Sequence, residues 1–352
     1  MIRVGENCDL RYNMINDKFP PFVEISNLLA TSDSALVDLT GGVVAIGNFD
    51  GVHKGHRVVL DTAGNLATQN AHRTPAVVMT FEPHPRTVFN PSKPVFRLTP
   101  PSVKARLFKA LGLQGSITAP FDRDFANMSA DAFVEELLVK KLKVAHVVVG
   151  YDFHFGKARQ GSPEFLMEMG EKHSFGVSIV PAQKDEAGDF TFSSSATRSF
   201  IEQGAIEKAN NILGYRYFVS GEIIHGEKRG RTLGYPTANM VLPAENTLRH
   251  GIYAVQMRID GKLMDGVASF GRRPTFDNGA ALLETFVFDF DGDLYGSDVE
   301  IIFVKFLRGE EKFDDLDALI SRMDKDSIEA KSALKNAPAD TAIDATLNQQ
   351  VI

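Results

Sequence analysis

The chain has 352 residues, enough for about two domains that each bury a core. Its composition, 43% hydrophobic and 24% charged, is that of a globular protein, and its net charge of −7 lacks the basic footprint of general nucleic-acid binding. A single cysteine, Cys8, leaves no internal disulfide framework and no cysteine-ligated zinc site, and it suits a reducing compartment.

The start, Met1 to Pro21, is polar and lacks the apolar stretch of a secretory signal. No segment reaches the roughly 18 consecutive apolar residues of a membrane span. Cytoplasm is therefore the expected compartment. Residues 1–40 read as a lead-in. The apolar run Val43-Val44-Ala45-Ile46 then predicts a buried strand, and Arg57-Val58-Val59-Leu60 predicts a helix. Between them lies Gly47-Asn48-Phe49-Asp50-Gly51-Val52-His53-Lys54-Gly55-His56. A strand, a glycine-rich turn and a helix start is the layout of a phosphate site, because the helix aims free N–H groups at the anion. Two imidazoles, His53 and His56, can donate to charge building on phosphate oxygens. A plain surface turn is the competing reading of the same residues.

From there to about residue 190, short apolar runs alternate with amphipathic stretches. Ala76–Phe81 and Val144–Val149 resemble the first strand, and Ala130–Lys143 has helical spacing with Phe133, Leu137 and Leu138 on one face. The alternation predicts a doubly wound parallel sheet with its ligand crevice at the carboxyl ends of the strands. Further polar clusters follow two of those ends: Thr80-Phe81-Glu82-Pro83-His84-Pro85-Arg86 and Gly150-Tyr151-Asp152-Phe153-His154-Phe155-Gly156. A site requires them to converge with the histidine turn.

Ser193-Ser194-Ser195-Ala196-Thr197-Arg198 opens a helical stretch, Ser199–Leu213, interrupted at Gly204. The serines suit N-caps, and Arg198 suits phosphate. Beyond residue 215, Tyr217–Ile224, Gly251–Ile259, Met264–Ser269, Leu283–Phe290 and Val299–Lys305 alternate as short strands between turns, which predicts a small antiparallel barrel. Lys312–Lys335 reads as a helix with Leu316, Leu319, Ile320 and Met323 on its apolar face, and Asn336–Ile352 reads as a frayed tail.

The barrel half holds a second dense cluster, from Gly226 through Gly230, Arg231 and Gly234 to Thr237 and Asn239. It lacks the ending of a Walker loop, yet its glycines permit a phosphate wrap, and Thr237 and Asn239 offer neutral oxygens for magnesium. A solvated basic hairpin is the alternative. Glu284, at the start of a predicted strand, could accept the proton of an alcohol in phosphoryl transfer, or simply face solvent.

In order along the chain stand GNFDGVHKGH, TFEPHPR, VGYDFHFG, SSSATR, LGYPTAN, GRRPTF, ETFVFDFDGDLYG and FLRGEEKF. With these landmarks the chain, from about Val43 to Lys331, resembles the bifunctional bacterial riboflavin kinase/FMN adenylyltransferases. The resemblance implies a Rossmann-like nucleotidyltransferase domain over 41–198, a linking helix over 199–214 and a six-stranded riboflavin kinase barrel with a terminal helix over 215–335. It implies ATP, riboflavin and FMN as substrates, FAD as product, Mg2+ as cofactor, and no nucleic-acid or membrane partner, with oligomeric state left open.

In the first domain it implies His53, His56 and Arg198 as catalytic. It assigns Gly47, Asn48, Phe49, Asp50, Gly55, Ser194 and Ser195 to ATP, and Phe81, Pro83, His84, Pro85, Arg86 and Asp152 to the flavin. In the second domain Gly226, Gly230, Arg231, Gly234, Thr237 and Asn239 would hold ATP, with Thr237 and Asn239 also serving the metal. Glu284 would be the base, and Arg308 would close over the flavin. The family usually reads Ser-Ser-Thr-x-Ile-Arg where this chain has Ser195 for the threonine and Thr197 for the isoleucine. The first change keeps a hydroxyl, and the second makes a packing position polar.

Overall fold

The computed structural model describes residues 21–69, 74–185, 188, 190–226, 234–272 and 281–350. The chain divides into two compact units, Met1–Ser194 and Ser195–Ile352.

Among the described residues, the first unit builds one parallel sheet from β1 (Val23–Ile25), β2 (Val43–Ile46), β3 (Ala76–Glu82), β4 (Gly115–Pro120), β5 (His146–Gly150) and β6 (Gly176–Val180). The strand order is β1-β4-β3-β2-β5-β6. Its helices include α1 (Lys54–Gln69), α2 (Pro85–Phe89), α3 (Pro101–Ala110) and α4 (Pro163–His173). The expected valine-rich strands sit at the centre, where helices cover both faces, so Val43, Val44, Val77, Val78, Val147 and Val148 are all fully buried. The order changes direction at β2, between β3 and β5, which is the switch point at which doubly wound sheets open a crevice. Ile46 pairs with both Met79 and Val149, so these three strands run in register toward one carboxyl edge.

Two features depart from the sequence reading. The stretch expected as a lead-in adds β1 to the sheet edge and a 3-10 helix, Asp33–Leu39, with Leu28, Leu36 and Leu39 in the core. A three-residue strand is too short to give a periodic signal. The predicted helix at Ala130–Lys143 is capped by Ser129 but turns π-helical over Phe133–Lys141, while still burying Phe133, Leu137 and Leu138.

The second unit opens with α5 (Ser194–Gln203, its first residue belonging to the first unit) and α6 (Ile206–Leu213). Six described strands follow: β7 (Phe218–Glu222), β8 (Thr237–Val241), β9 (Gly251–Ile259), β10 (Lys262–Arg272), β11 (Ala281–Val287) and β12 (Asp298–Arg308), antiparallel in the order β7-β12-β9-β10-β11-β8. A bridge between Ile224 and Asn239 brings the two ends together, so the sheet is a nearly closed barrel. Alternation fills its interior with Tyr253, Phe270, Leu283, Ile301 and Phe303. β8 begins inside the segment read as a phosphate loop, and β11 starts early enough that Glu284 is mid-strand.

α7 (Leu316–Lys335) is capped by Asp315 and buries Asp326 and Ala330, whereas Leu316, expected on its apolar face, is half exposed. The tail expected to fray instead forms α8 (Ala342–Asn348), with a Thr341–Asp344 capping box and Ile343 and Leu347 buried. Its apolar pair is too short for periodicity to reveal, and Asp344 reaches a partner distant in sequence: its carboxylate accepts the Arg216 N–H at 2.9 Å.

Candidate active sites

The histidine turn leaves the end of β2 and runs directly into α1. Phe49 (φ 46°) and Val52 (φ 39°) occupy the left-handed region, which bulky residues rarely adopt. Such a backbone persists only where its surroundings hold it. Gly47 N–H donates to Met79 at 3.1 Å, and Val52 N–H donates to the Phe49 carbonyl at 3.1 Å. The result stacks the His53 and His56 rings 3.6 Å apart, 18° from parallel, with Phe49 edge-on to His56 at 5.4 Å. His53 is buried, and its Nδ1 accepts the His56 N–H at 3.2 Å at the start of α1. Two adjacent imidazoles at a helix N-terminus form an anion-directed donor set.

The clusters after β3 and β5 leave the strands flanking β2, at the same edge of the sheet. The structure therefore brings together the three clusters found in sequence. Within them, Phe81 is buried against Phe121 and Phe125, and His84 caps α2 by accepting the Arg86 N–H, while Pro83, Arg86 and Asp152 are exposed. Asn48 Oδ1 is buried with no hydrogen-bond partner among the described residues, an acceptor at the turn. Ser194 Oγ donates to the Asp50 carbonyl at 2.7 Å. Ser195 is exposed, and Thr197, the polar substitution, is fully buried. Ser195 and Arg198 belong to the second unit, and their expected phosphate role rests on the resemblance.

Asp50 is bound up in architecture. Its carboxylate, 1% exposed, accepts the N–H groups of Thr99 (3.0 Å) and Leu98 (3.3 Å) and the Thr99 hydroxyl (3.3 Å), while Thr99 Oγ1 accepts the Gly51 N–H at 2.8 Å.

Sequence reasoning missed a buried charge cluster beneath the turn. Lys104 of α3, 2% exposed, donates to the Asn48 carbonyl (3.1 Å), Thr80 Oγ1 (3.1 Å) and Glu82 Oε1 (2.7 Å). Arg97 grips Glu82 with both terminal nitrogens, one of them at 2.5 Å from Oε2. Burial pulls the Lys104 ammonium below the usual lysine range, with Glu82 opposing. Burial raises the Glu82 carboxyl, but its hydrogen bonds and charge contacts with Arg97 and Lys104 outweigh that and hold it low. The available signal was a lysine at a core position: Leu107 and Phe108, three and four residues on, are buried on the same helix face.

In the barrel, Asn239 on β8 stands opposite Glu284 on β11, which stands opposite Ser269 on β10, and Thr237 stands opposite Phe286. Side chains alternate along a strand, so Thr237, Asn239 and Glu284 share one face. Gly226 lies against this group: a Cβ there would meet the Asn239 amide, so any larger residue would have to displace that side chain. Asn239 is 4% exposed, and its Oδ1 has no hydrogen-bond partner among the described residues. A buried, unpaired neutral oxygen beside a threonine fits a hard cation such as magnesium. Gly234 has φ +83° in open space, and Gly230 and Arg231 lie outside the described residues, as does most of the GRRPTF landmark.

Arg308, at the end of β12, is clasped by Asp326 of α7, with Nε to Oδ1 at 2.8 Å and Nη2 to Oδ2 at 2.6 Å, and that pairing raises its pKa. Asp326, 3% exposed, was not found in sequence, where it reads as one more charge on a solvated helix. Tyr235 packs edge-on to Phe286 at 4.9 Å and donates its hydroxyl to Asp324 of the same helix.

A family model described as FAD synthetase matches residues 37–196, and one described as riboflavin kinase matches residues 213–334. The chain is 39% identical over 293 residues to a bifunctional riboflavin kinase/FMN adenylyltransferase of Listeria monocytogenes, covering 82% of this chain and 91% of the relative. It is 36% identical to the protein of that name from Escherichia coli, covering 83% and 92% of the two chains. The corresponding Haemophilus influenzae protein is 37% identical, with 84% and 94% covered. A solved structure from Streptococcus pneumoniae, named as a macrolide-efflux protein, superposes with a TM-score of 0.77 at 30% identity, covering 91% of this chain and all of that one. Among the described residues no helix here is long and apolar enough to cross a membrane.

Proposed function

The chain belongs to the bifunctional riboflavin kinase/FMN adenylyltransferase family, and from that premise we propose how its own residues carry the two reactions. The enzyme phosphorylates riboflavin with ATP to give FMN, then adenylylates FMN with a second ATP to give FAD and pyrophosphate.

Adenylyl transfer runs at the histidine turn. The FMN phosphate attacks the α-phosphorus of ATP, and the bond to the leaving pyrophosphate breaks. His53 and His56 donate to the oxygens where negative charge accumulates, and the N–H groups opening α1 add to the same field. The stacked imidazole pair at that helix start is the observation that carries this reading. Asn48, Gly47 and Gly55 line the ATP side, Ser194 braces the turn, and the segment from Phe81 to Arg86 together with Asp152 supplies the flavin side. A phosphate is already a competent nucleophile, so positioning does most of the work.

Phosphoryl transfer runs on the barrel face that bears Thr237, Asn239 and Glu284. Glu284 accepts the proton of the riboflavin 5′-hydroxyl as its oxygen attacks the γ-phosphorus. Thr237 Oγ1 and Asn239 Oδ1 would hold Mg2+, which when bound neutralises phosphate charge. Gly226 and Gly234 let the adjoining loop approach ATP, with Gly230 and Arg231 between them. Arg308, released from Asp326, would turn toward the flavin.

The test is a product assay with riboflavin, ATP and magnesium, flavins being separated by chromatography over time. His56→Ala is expected to accumulate FMN without FAD. Glu284→Ala is expected to make no FMN yet still convert supplied FMN to FAD, with a kinase loss of about 10²–10⁴-fold. Either variant losing both activities, or neither, would overturn the assignment.

A further inference from the structure

We propose that Lys104 is a positioning residue for adenylyl transfer, acting through the Asn48 carbonyl on the conformation of the histidine turn. An ammonium has three N–H donors, and Lys104 spends them on three acceptors: Asn48 O, Thr80 Oγ1 and Glu82 Oε1. Those acceptors lie at the end of β3 and on the turn leaving β2, so one side chain of α3 ties two neighbouring strand ends together. Thr80 Oγ1 also donates to the Asn48 carbonyl, at 3.2 Å.

The coupling to chemistry runs through one peptide plane. The Asn48 carbonyl and the Phe49 N–H belong to the same rigid unit, and rotating that unit changes φ of Phe49. That φ is 46°, where a phenylalanine remains only if held. Phe49 in turn packs edge-on against His56 at 5.4 Å, and against Phe108 of α3 at 5.9 Å. Freeing the carbonyl lets the plane relax and the Phe49 ring move, and His56 loses the wall that fixes its imidazole against His53. Displacements of about 1 Å in such a group cost on the order of 10²-fold in rate. Lys104 reaches no reacting atom in this account, so the effect falls on the chemical step and spares ground-state binding.

The proposal rests on the histidine turn being the adenylyl-transfer site, so three full-length variants are compared with wild type: K104M, T80V and H56A. FMN adenylylation is measured with ATP and FMN varied in turn, riboflavin phosphorylation on the same preparations, and thermal stability alongside. K104M is expected to lose about 10²-fold in adenylylation kcat, with both KM values within about threefold and the kinase step unchanged. T80V, which removes one acceptor and one donor, is expected to lose about 3–10-fold in kcat at near-wild-type stability. Wild-type kcat in K104M, with or without a lower melting temperature, overturns the proposal, because a merely structural cation would alter stability alone. Should K104M fail to fold, T80V decides by the same kcat criterion. H56A inactive beside a fully active K104M overturns this proposal only; H56A fully active overturns the site assignment and this proposal with it.

Discussion

Replacing Asp50 tests whether this residue serves ATP directly or braces the loop beside the turn. In Asp50→Ala the Thr99 N–H (3.0 Å) and the Leu98 N–H (3.3 Å) lose their acceptor in a site where Asp50 is 1% exposed. A buried donor left unsatisfied costs about 1–3 kcal/mol. The longer Leu98 bond belongs at the low end, so the first unit should lose about 3 kcal/mol. Asp50→Asn keeps an oxygen for Thr99 but turns an amide N–H2 toward Leu98 N–H and Arg97, and should cost about 1–2 kcal/mol. Urea titration followed by residual FMN adenylylation gives these differences from the midpoint shift multiplied by the slope. Riboflavin phosphorylation in the same samples serves as the internal reference. An alanine variant within about 0.5 kcal/mol of wild type, but with KM for ATP raised tenfold or more, would refute the bracing role and make Asp50 a direct ligand.

Further outcomes follow from the same geometry. Asn239→Ala removes the buried unpaired oxygen and should raise the magnesium concentration needed for half-maximal FMN formation about tenfold, with no change in FAD made from supplied FMN; an unchanged magnesium titration would remove Asn239 as a ligand. Asp344→Ala strips the Arg216 N–H of its acceptor and α8 of its capping box, which should lower the stability of the second unit by about 2–3 kcal/mol in calorimetry while FMN formation at room temperature persists. His146, whose Nε2 lies 2.8 Å from Ser178 Oγ, has its pKa lowered from 6.5 by burial. The unfolded chain therefore takes up the proton more readily, and stability is full above pH 6.5 and declines as pH falls through the lower folded value. His146→Gln should flatten that decline in urea melts at pH 8 and pH 5, and an unaltered slope would place the acid sensitivity elsewhere.

Much of this fold could be read from the residues because the informative segments carry dense local signals. Val43–Ile46 is apolar throughout and Val144–Val149 is apolar but for His146, as befits strands covered on both faces, and the structure gives them as neighbours at the centre of the sheet. The histidine turn and the Thr237–Asn239 cluster stand out because glycines, imidazoles and neutral oxygens crowd into a few positions. β1, β8 and α8 escaped because each is too short or too mixed for a period to emerge, and their stability comes from partners far along the chain. Thr237 and Asn239 could be singled out as candidate metal ligands without their strand being seen, since the candidacy sits in the residue types and the strand sits in the pairing with β11.

The sequence by itself determined the two-part organisation and marked one candidate site in each part: a glycine-rich turn with two histidines in an α/β half, and a carboxylate with two neutral oxygens in a β half. Local spacing and residue type are enough for that, because a turn and the start of its helix lie within a few residues of each other. Only the tertiary structure decided which side chains are bound up in holding the turn and the barrel, because their partners lie far along the chain. Asp50, expected at ATP, has its carboxylate engaged by the Thr99 and Leu98 N–H groups, and Lys104, which the sequence reading did not single out, lies buried beneath the turn. Asp326, one charge among many on the Lys312–Lys335 segment, clasps Arg308. The fate of a charge depends on what surrounds it in three dimensions, since burial makes an ionised group costly unless distant acceptors or donors meet it. Asn48 and Lys104 stand 56 positions apart and meet only once the sheet has folded.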